Sequence, residues 1–247
     1  MKPEYYIGTS GWHYNHWKGN FYPEGMPSKD WLKYYSENFN TVEINNSFYR
    51  LPQESTFTNW HQTVPPGFCF AVKASRFITH IKKLKDSRDP LLKFMARSKC
   101  LEDSLGPVLF QLPSSFHRND ERLSDFLGLL EKKLRFVFEF RHDSWMNEDV
   151  FDLLRKHNAG FCVFDMPGLT GPLVATADFA YFRFHGKGDL YSGNYPDSDL
   201  AEWANKIKKI SGGLKTIYVY FNNDAGGNAV RNARTLRGYV ENLNSKV

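Results

Sequence analysis

Three strand-like segments of the chain carry polar side chains two residues apart: Glu43 with Asn45, Glu139 with Arg141, and Arg183 with His185. Alternate residues of a strand share a face, so each pair points to one side. Lys73, Gln111, Asp165 and Asn222 close four further apolar runs. A carboxylate on a face where a core strand should carry valine is costly unless it is partnered. Brought together, these groups could carry out proton-transfer and anion chemistry. Lys73, Arg141 and Arg183 would hold phosphate or developing negative charge. Glu43 or Glu139 would be a general base, and His185 a proton donor able to change charge near neutrality. Asn45, Asn46, Gln111, Asp165 and Asn222 would bind substrate around them.

The elements that must position these residues are legible as alternation. Eight short runs rich in β-branched and aromatic residues recur: 5–10, 41–45, 68–73, 107–112, 136–141, 160–165, 180–185 and 216–222. Most are separated by helical patterns. SKDWLKYYSENF has Ser28 placed as an N-cap, and DPLLKFMARSKCLEDSLG opens with Asp89 before Pro90. QESTFTNWHQ, NDERLSDFLGLLEKKL, NEDVFDLLRKHNAG, SDLAEWANKIKKISGG and NAVRNARTLRGYVENL supply the remaining helices. Only DMPGLTGPLVATAD separates the sixth and seventh runs, so a helix there is expected to be reduced or absent. The pattern predicts a single-domain α/β chain over residues 1–247, folded as a (β/α)8 barrel. In such barrels the strand C-termini face one cavity, where seven of these strands would end in a polar or charged group. Unpaired charges are not tolerated there, so the set should interlock as a hydrogen-bonded network.

The loops at that end add cations and rings. Residues 11–27 carry Trp12, His13, Tyr14, His16, Trp17 and Lys18; residues 74–89 carry Arg76, His80, Lys82, Lys83, Lys85 and Arg88; residues 186–197 carry Lys187, Tyr191 and Tyr195. Cations neutralise phosphates and flat rings stack on bases or sugars, which suits a nucleic-acid strand. Local packing of the same rings is the plainer alternative. Trp12 is expected to line the pocket; Trp145 would either line it or staple the fifth helix. Gly226, Gly227 and Asn228 follow the last strand and open a helix, a setting in which backbone N–H groups can seat a phosphate.

Glu43, Glu139, Asp165 and His185 could ligate a divalent metal. No HExxH, HxH or cysteine cluster is present, and three cations already offer the carboxylates partners, so a salt-bridge network is favoured and no cofactor is expected. Three cysteines without CxxC spacing, in a chain of net charge +5 with 41% hydrophobic and 16% aromatic residues, suit a folded cytoplasmic protein. No apolar run long enough for a signal peptide or a membrane span is seen. Oligomeric state is not legible.

GTSGWHYNHW, VEINNSFYRLP, FAVKASRFITH, LGPVLFQLP, FEFRHDSW, YFRFHG and YVYFNND together resemble the YecE-like family, domain of unknown function 72, from about Ile7 to the final helix. The resemblance implies a TIM-type barrel with these motif residues at the strand C-termini and no settled activity. Through likeness in fold to the endonuclease IV group, it also implies DNA binding. The chain lacks that group's dense His/Asp/Glu set for several zinc ions, which argues against metal-assisted phosphodiester cleavage. The reading favoured at this point is a protein that binds or acts on a phosphate-bearing ligand, with nucleic acid foremost and phosphodiester or sugar-phosphate hydrolysis as the reaction if it is an enzyme. A small-molecule enzyme acting on a sugar or sugar phosphate and a non-catalytic binding module are the alternatives.

Overall fold

The computed structural model describes residues 2–188 and 191–245. Its strands are β1 (Glu4–Ser10), β2 (Thr41–Ile44), β3 (Cys69–Lys73), β4 (Leu105–Gln111), β5 (Phe136–Glu139), β6 (Gly160–Met166), β7 (Leu169–Thr170), β8 (Phe179–Phe184) and β9 (Thr216–Phe221). Neighbours run β5-β4-β3-β2-β1-β9-β8-β6, all parallel, and pairing of β5 with β6 closes the cylinder. The expected eight-stranded parallel barrel is therefore formed. β7 is a two-residue antiparallel appendix on β6, and no helix intervenes before β8, as the proline-bearing connection predicted.

The helices are α1 (Trp31–Asn38), α2 (Asn46–Tyr49), α3 (Glu54–Thr63), α4 (Arg88–Ser98), α5 (Asp120–Leu127), α6 (Glu148–Lys156), α7 (Asp197–Ile210) and α8 (Asn228–Ser245). Two cap assignments shift. Ser28 opens a 3-10 turn and α1 starts after Asp30, while Asp89 lies inside the first turn of α4, after Ser87. Helix α5 is shorter than its pattern: the Asn119 side chain caps it by accepting from the Arg122 N–H at 2.9 Å, and it stops before Gly128.

Tyr35 of α1 closes the β1–β2 seam. Its hydroxyl takes the Thr9 N–H and donates to the Thr41 carbonyl, each at 3.0 Å, standing in for a ladder bond. Gly8 is required beside it, because a Cβ there would fall 2.3 Å from the Thr41 carbonyl oxygen. The interior is filled unevenly. Tyr181, Tyr218, Tyr220 and Phe179 from β8 and β9 pack against the small Ala71, Cys69 and Cys162. The outer faces of the strands pack on the helices in one large core that contains Trp31, Phe110, Phe138 and Trp145.

Candidate functional site

Burying carboxylates inside a barrel requires partners, and the strand ends supply them. Arg183 of β8 is fully buried between two glutamates: Nη2 donates to Glu43 at 2.9 Å and Nη1 to Glu139 at 2.5 Å. Glu43 also accepts from Ser10 Oγ at 2.7 Å and from the Tyr181 hydroxyl at 2.6 Å. Glu139 accepts from Gln111 Nε2 at 2.9 Å and pairs with Arg141 two residues on. Arg141 continues the chain, donating to His185 Nε2 at 2.8 Å, and the Asn222 amide lies 3.2 Å from Nδ1 of the same ring. Glu43, Gln111, Glu139, Arg141, Arg183, His185 and Asn222 are thus brought into one connected network, which Ser10 and Tyr181 complete.

The electrostatics assign protonation states. Burial alone would raise the Glu139 carboxyl, but Arg141, Arg183, His185 and Lys73 outweigh it and hold it well below the usual carboxylate range. His185 is held well below its ordinary value by burial and by Arg183 and Arg141. It is therefore neutral, which corrects the expectation of a ring that changes charge near neutrality. A neutral ring accepting from Arg141 at Nε2 carries its proton on Nδ1, and Asn222 accepts that proton with its amide oxygen turned toward the ring. Lys73, half-buried, stands apart. Burial and Arg183 bring it down to about 8, and its Nζ lies 4.3 Å from the centre of the Phe48 ring. Among the described residues no carboxylate lies within salt-bridge distance of that amine.

Two expected members are elsewhere. On β6, Cys162 contacts Glu139, and Phe164 and Met166 contact Arg141. Asp165 must then face the other way, where it accepts from Thr170 at 2.7 Å and sits 3.7 Å from Lys187. Trp145 is fully buried in the outer core. Its indole N–H donates to the Phe116 carbonyl at 2.6 Å and its ring stacks on Phe140. It staples the fifth unit and lines no pocket. Asn45 and Asn46 instead line a cavity of about 450 Å³ at the first two strand ends, together with Trp12, Tyr14 and Trp60.

Gly226 and Gly227 both have positive φ, at 65° and 75°, in a turn leading into α8. Arg231 donates to the Gly226 carbonyl at 3.1 Å and also to the Asn228 side chain. Among the described residues these contacts run to Arg231 and Asp224 rather than to the network. On the rim, Trp12, Trp17 and Tyr195 are buried as local core, while Arg76, Lys85, Arg88 and Lys18 are exposed. Asp189 and Leu190 of the seventh-unit loop lie outside the described residues. Sequence reasoning missed Tyr181, although it lies two residues before Arg183 on the same strand face, and it read Ser10 only as a strand end. Among the described residues no three His, Cys, Asp or Glu side chains converge as a metal site. No helix among them is long and apolar enough to cross a membrane.

A closed parallel barrel whose mouth holds a self-neutralising network of strand-end side chains defines a TIM-barrel protein with its polar site in the usual place for that fold. The chain belongs to the family described as Protein of unknown function DUF72, whose model matches residues 6–247. The crystal structure of a DUF72 family protein from Thermotoga maritima is similar over 96% of this chain and 99% of that one, with 32% identity and a TM-score of 0.86. A DUF72 family protein from Enterococcus faecalis is similar in fold, with a TM-score of 0.83 over 96% of this chain and 95% of that one at 18% identity. UPF0759 protein YunF of Bacillus subtilis is 25% identical over 94% of this chain and 93% of its own length.

Proposed function

We propose that the barrel mouth binds a phosphate-bearing ligand, with a nucleic-acid strand as the class its rim fits best. One observation carries this reading: the network sets two carboxylates, Glu43 and Glu139, against three cations, Arg183, Arg141 and Lys73, and Lys73 is the cation with no carboxylate beside it among the described residues. Arg183 and Arg141 are both engaged by the carboxylates, so Lys73 is the group available to an incoming anion. Exposed Arg76, Lys85 and Arg88 extend positive charge along the third-unit loop, and the net charge of +5 favours an anionic partner. A phosphate at the Gly226–Asn228 turn belongs to the same reading, as a second contact along a longer ligand.

If chemistry follows binding, Lys73 is the group poised to give up a proton. Glu139 is too weak a base and His185 too firmly neutral, and a glycosidase-like acid pair is disfavoured because Arg183 spans both glutamates. The three free thiols support a reducing, cytoplasmic setting.

Titration of a labelled single-stranded oligonucleotide over a range of salt concentrations tests the reading. Log affinity should fall linearly with log salt, by about 0.7 for each phosphate contacted, and Lys73→Met should remove about one such contact. Affinity that is flat in salt and indifferent to Lys73→Met would overturn it.

A further inference from the structure

The cavity beside the network has a different chemistry from the network itself. Its walls are the rings of Trp12, Tyr14 and Trp60, with Leu32 among them, and its polar lining combines the amides of Asn45, Asn46 and Asn59 with Lys29, His13 and two hydroxyls. No carboxylate lines it. Trp12 meets Trp60 edge to face at 5.1 Å, which turns two indoles into one angled wall. Tyr14 is pinned by donating to the Ser10 carbonyl at 2.7 Å, so the wall is tied to the strand that supports Glu43. The Asn45 amide oxygen is buried and has no hydrogen-bond partner among the described residues. Asn45 leaves β2 with helical backbone and opens α2, where Asn46 lines the cavity and the adjoining Ser47 donates to the Lys73 carbonyl at 2.6 Å. One ligand can therefore reach both the cavity and the network.

We propose that this cavity seats a nucleobase, the ring of the same ligand whose phosphate lies at Lys73. The inference rests on the phosphate-binding reading for the second half of that ligand. Aromatic walls stack on a flat heterocycle, and side-chain amides match the paired donors and acceptors on a base edge. The Asn59 amide, at the exposed side of the cavity, would accept from a ring or exocyclic N–H. Three aromatic rings in one wall offer more stacking face than a puckered sugar can use, which favours the flat base. An unstacked base in such a pocket requires a single strand or a mononucleotide rather than an intact duplex.

Calorimetric titration of the full chain with adenosine 5′-monophosphate, adenosine, ribose 5-phosphate and inorganic phosphate separates the two halves. The nucleotide should bind at least about 5-fold more tightly than ribose 5-phosphate, the low end of what one stacked base supplies. Trp60→Leu should abolish that preference while leaving ribose 5-phosphate affinity in place. Asn59→Ala, at an exposed position, gives a second reading in a variant with little to lose in folding. Equal binding of nucleotide and ribose 5-phosphate would overturn the base seat and leave the phosphate reading standing. Binding of adenosine without any of the phosphates would do the reverse. Failure of both adenosine and its monophosphate to bind would also overturn the base seat.

Discussion

Arg183 and Glu139 meet at 2.5 Å with neither side chain exposed to solvent. The same guanidinium reaches Glu43 through its other terminal nitrogen, so one cation bridges two buried carboxylates from different strands. Removing it takes the cation from Glu43 and leaves Glu139 with Arg141 alone. Arg183→Met should lower stability by about 3–5 kcal/mol, the cost of leaving buried charge uncompensated. Urea unfolding measures this, and a loss below about 1 kcal/mol would mean that water or another cation takes over.

The Glu139 carboxyl carries an acid-side signature. Its folded value lies well below the ordinary 4.5, so the unfolded chain binds the proton more readily. The stability it contributes is full above about pH 4.5 and drains as the pH falls toward the folded value. Glu139→Gln should flatten this acid limb in unfolding curves taken across that range, provided the variant folds. An unchanged limb would place the acid sensitivity elsewhere.

His185 should be silent where a free histidine titrates. Its folded value lies well below 6.5, so the unfolded state takes up a proton first and stability declines as the pH drops below about 6.5. NMR of its ring should show a neutral imidazole protonated on Nδ1 throughout about pH 6 to 8. A ring that titrates near 6.5 would contradict the packing against Arg141 and Arg183.

Lys73 should set the alkaline edge of anion binding. Its amine is brought down to about 8, so its charge, and with it affinity for a phosphate, should fade as pH rises through that value. Lys73→Arg keeps the charge and should hold affinity to higher pH, whereas Lys73→Met should bind weakly at every pH. Oligonucleotide binding measured at several pH values distinguishes these outcomes.

Trp145 supplies a control away from the mouth. It is wholly buried against Phe116 and Phe140, so Trp145→Ala should cost about 3–5 kcal/mol of stability. Oligonucleotide affinity of the folded fraction should stay as in the parent chain.

Strand periodicity made most of the network legible because its segments alternate visibly: Glu139 and Arg141 bracket Phe140, and Arg183 and His185 bracket Phe184. It failed on GFCVFDM, where both faces are apolar and the run gives no sign of parity. Asp165 was therefore assigned inward by its terminal position alone, although Cys162, Phe164 and Met166 take that side. Trp145 could not be placed from sequence, since a tryptophan after a strand serves a wall or a core equally well until Phe116 is brought beside it. Trp60 went unnoticed because it reads as an ordinary helix residue in QESTFTNWHQ; only the docking of α3 sets it against Trp12.

The three strands joined through Arg183, namely β2, β5 and β8, are nowhere neighbours around the cylinder. The guanidinium thus acts as a hub with spokes to well-separated staves, bracing the rim against ovalisation from within. Strand number and stagger fix the diameter of the cylinder, and the hub adds a tie across it that the surrounding loops take no part in.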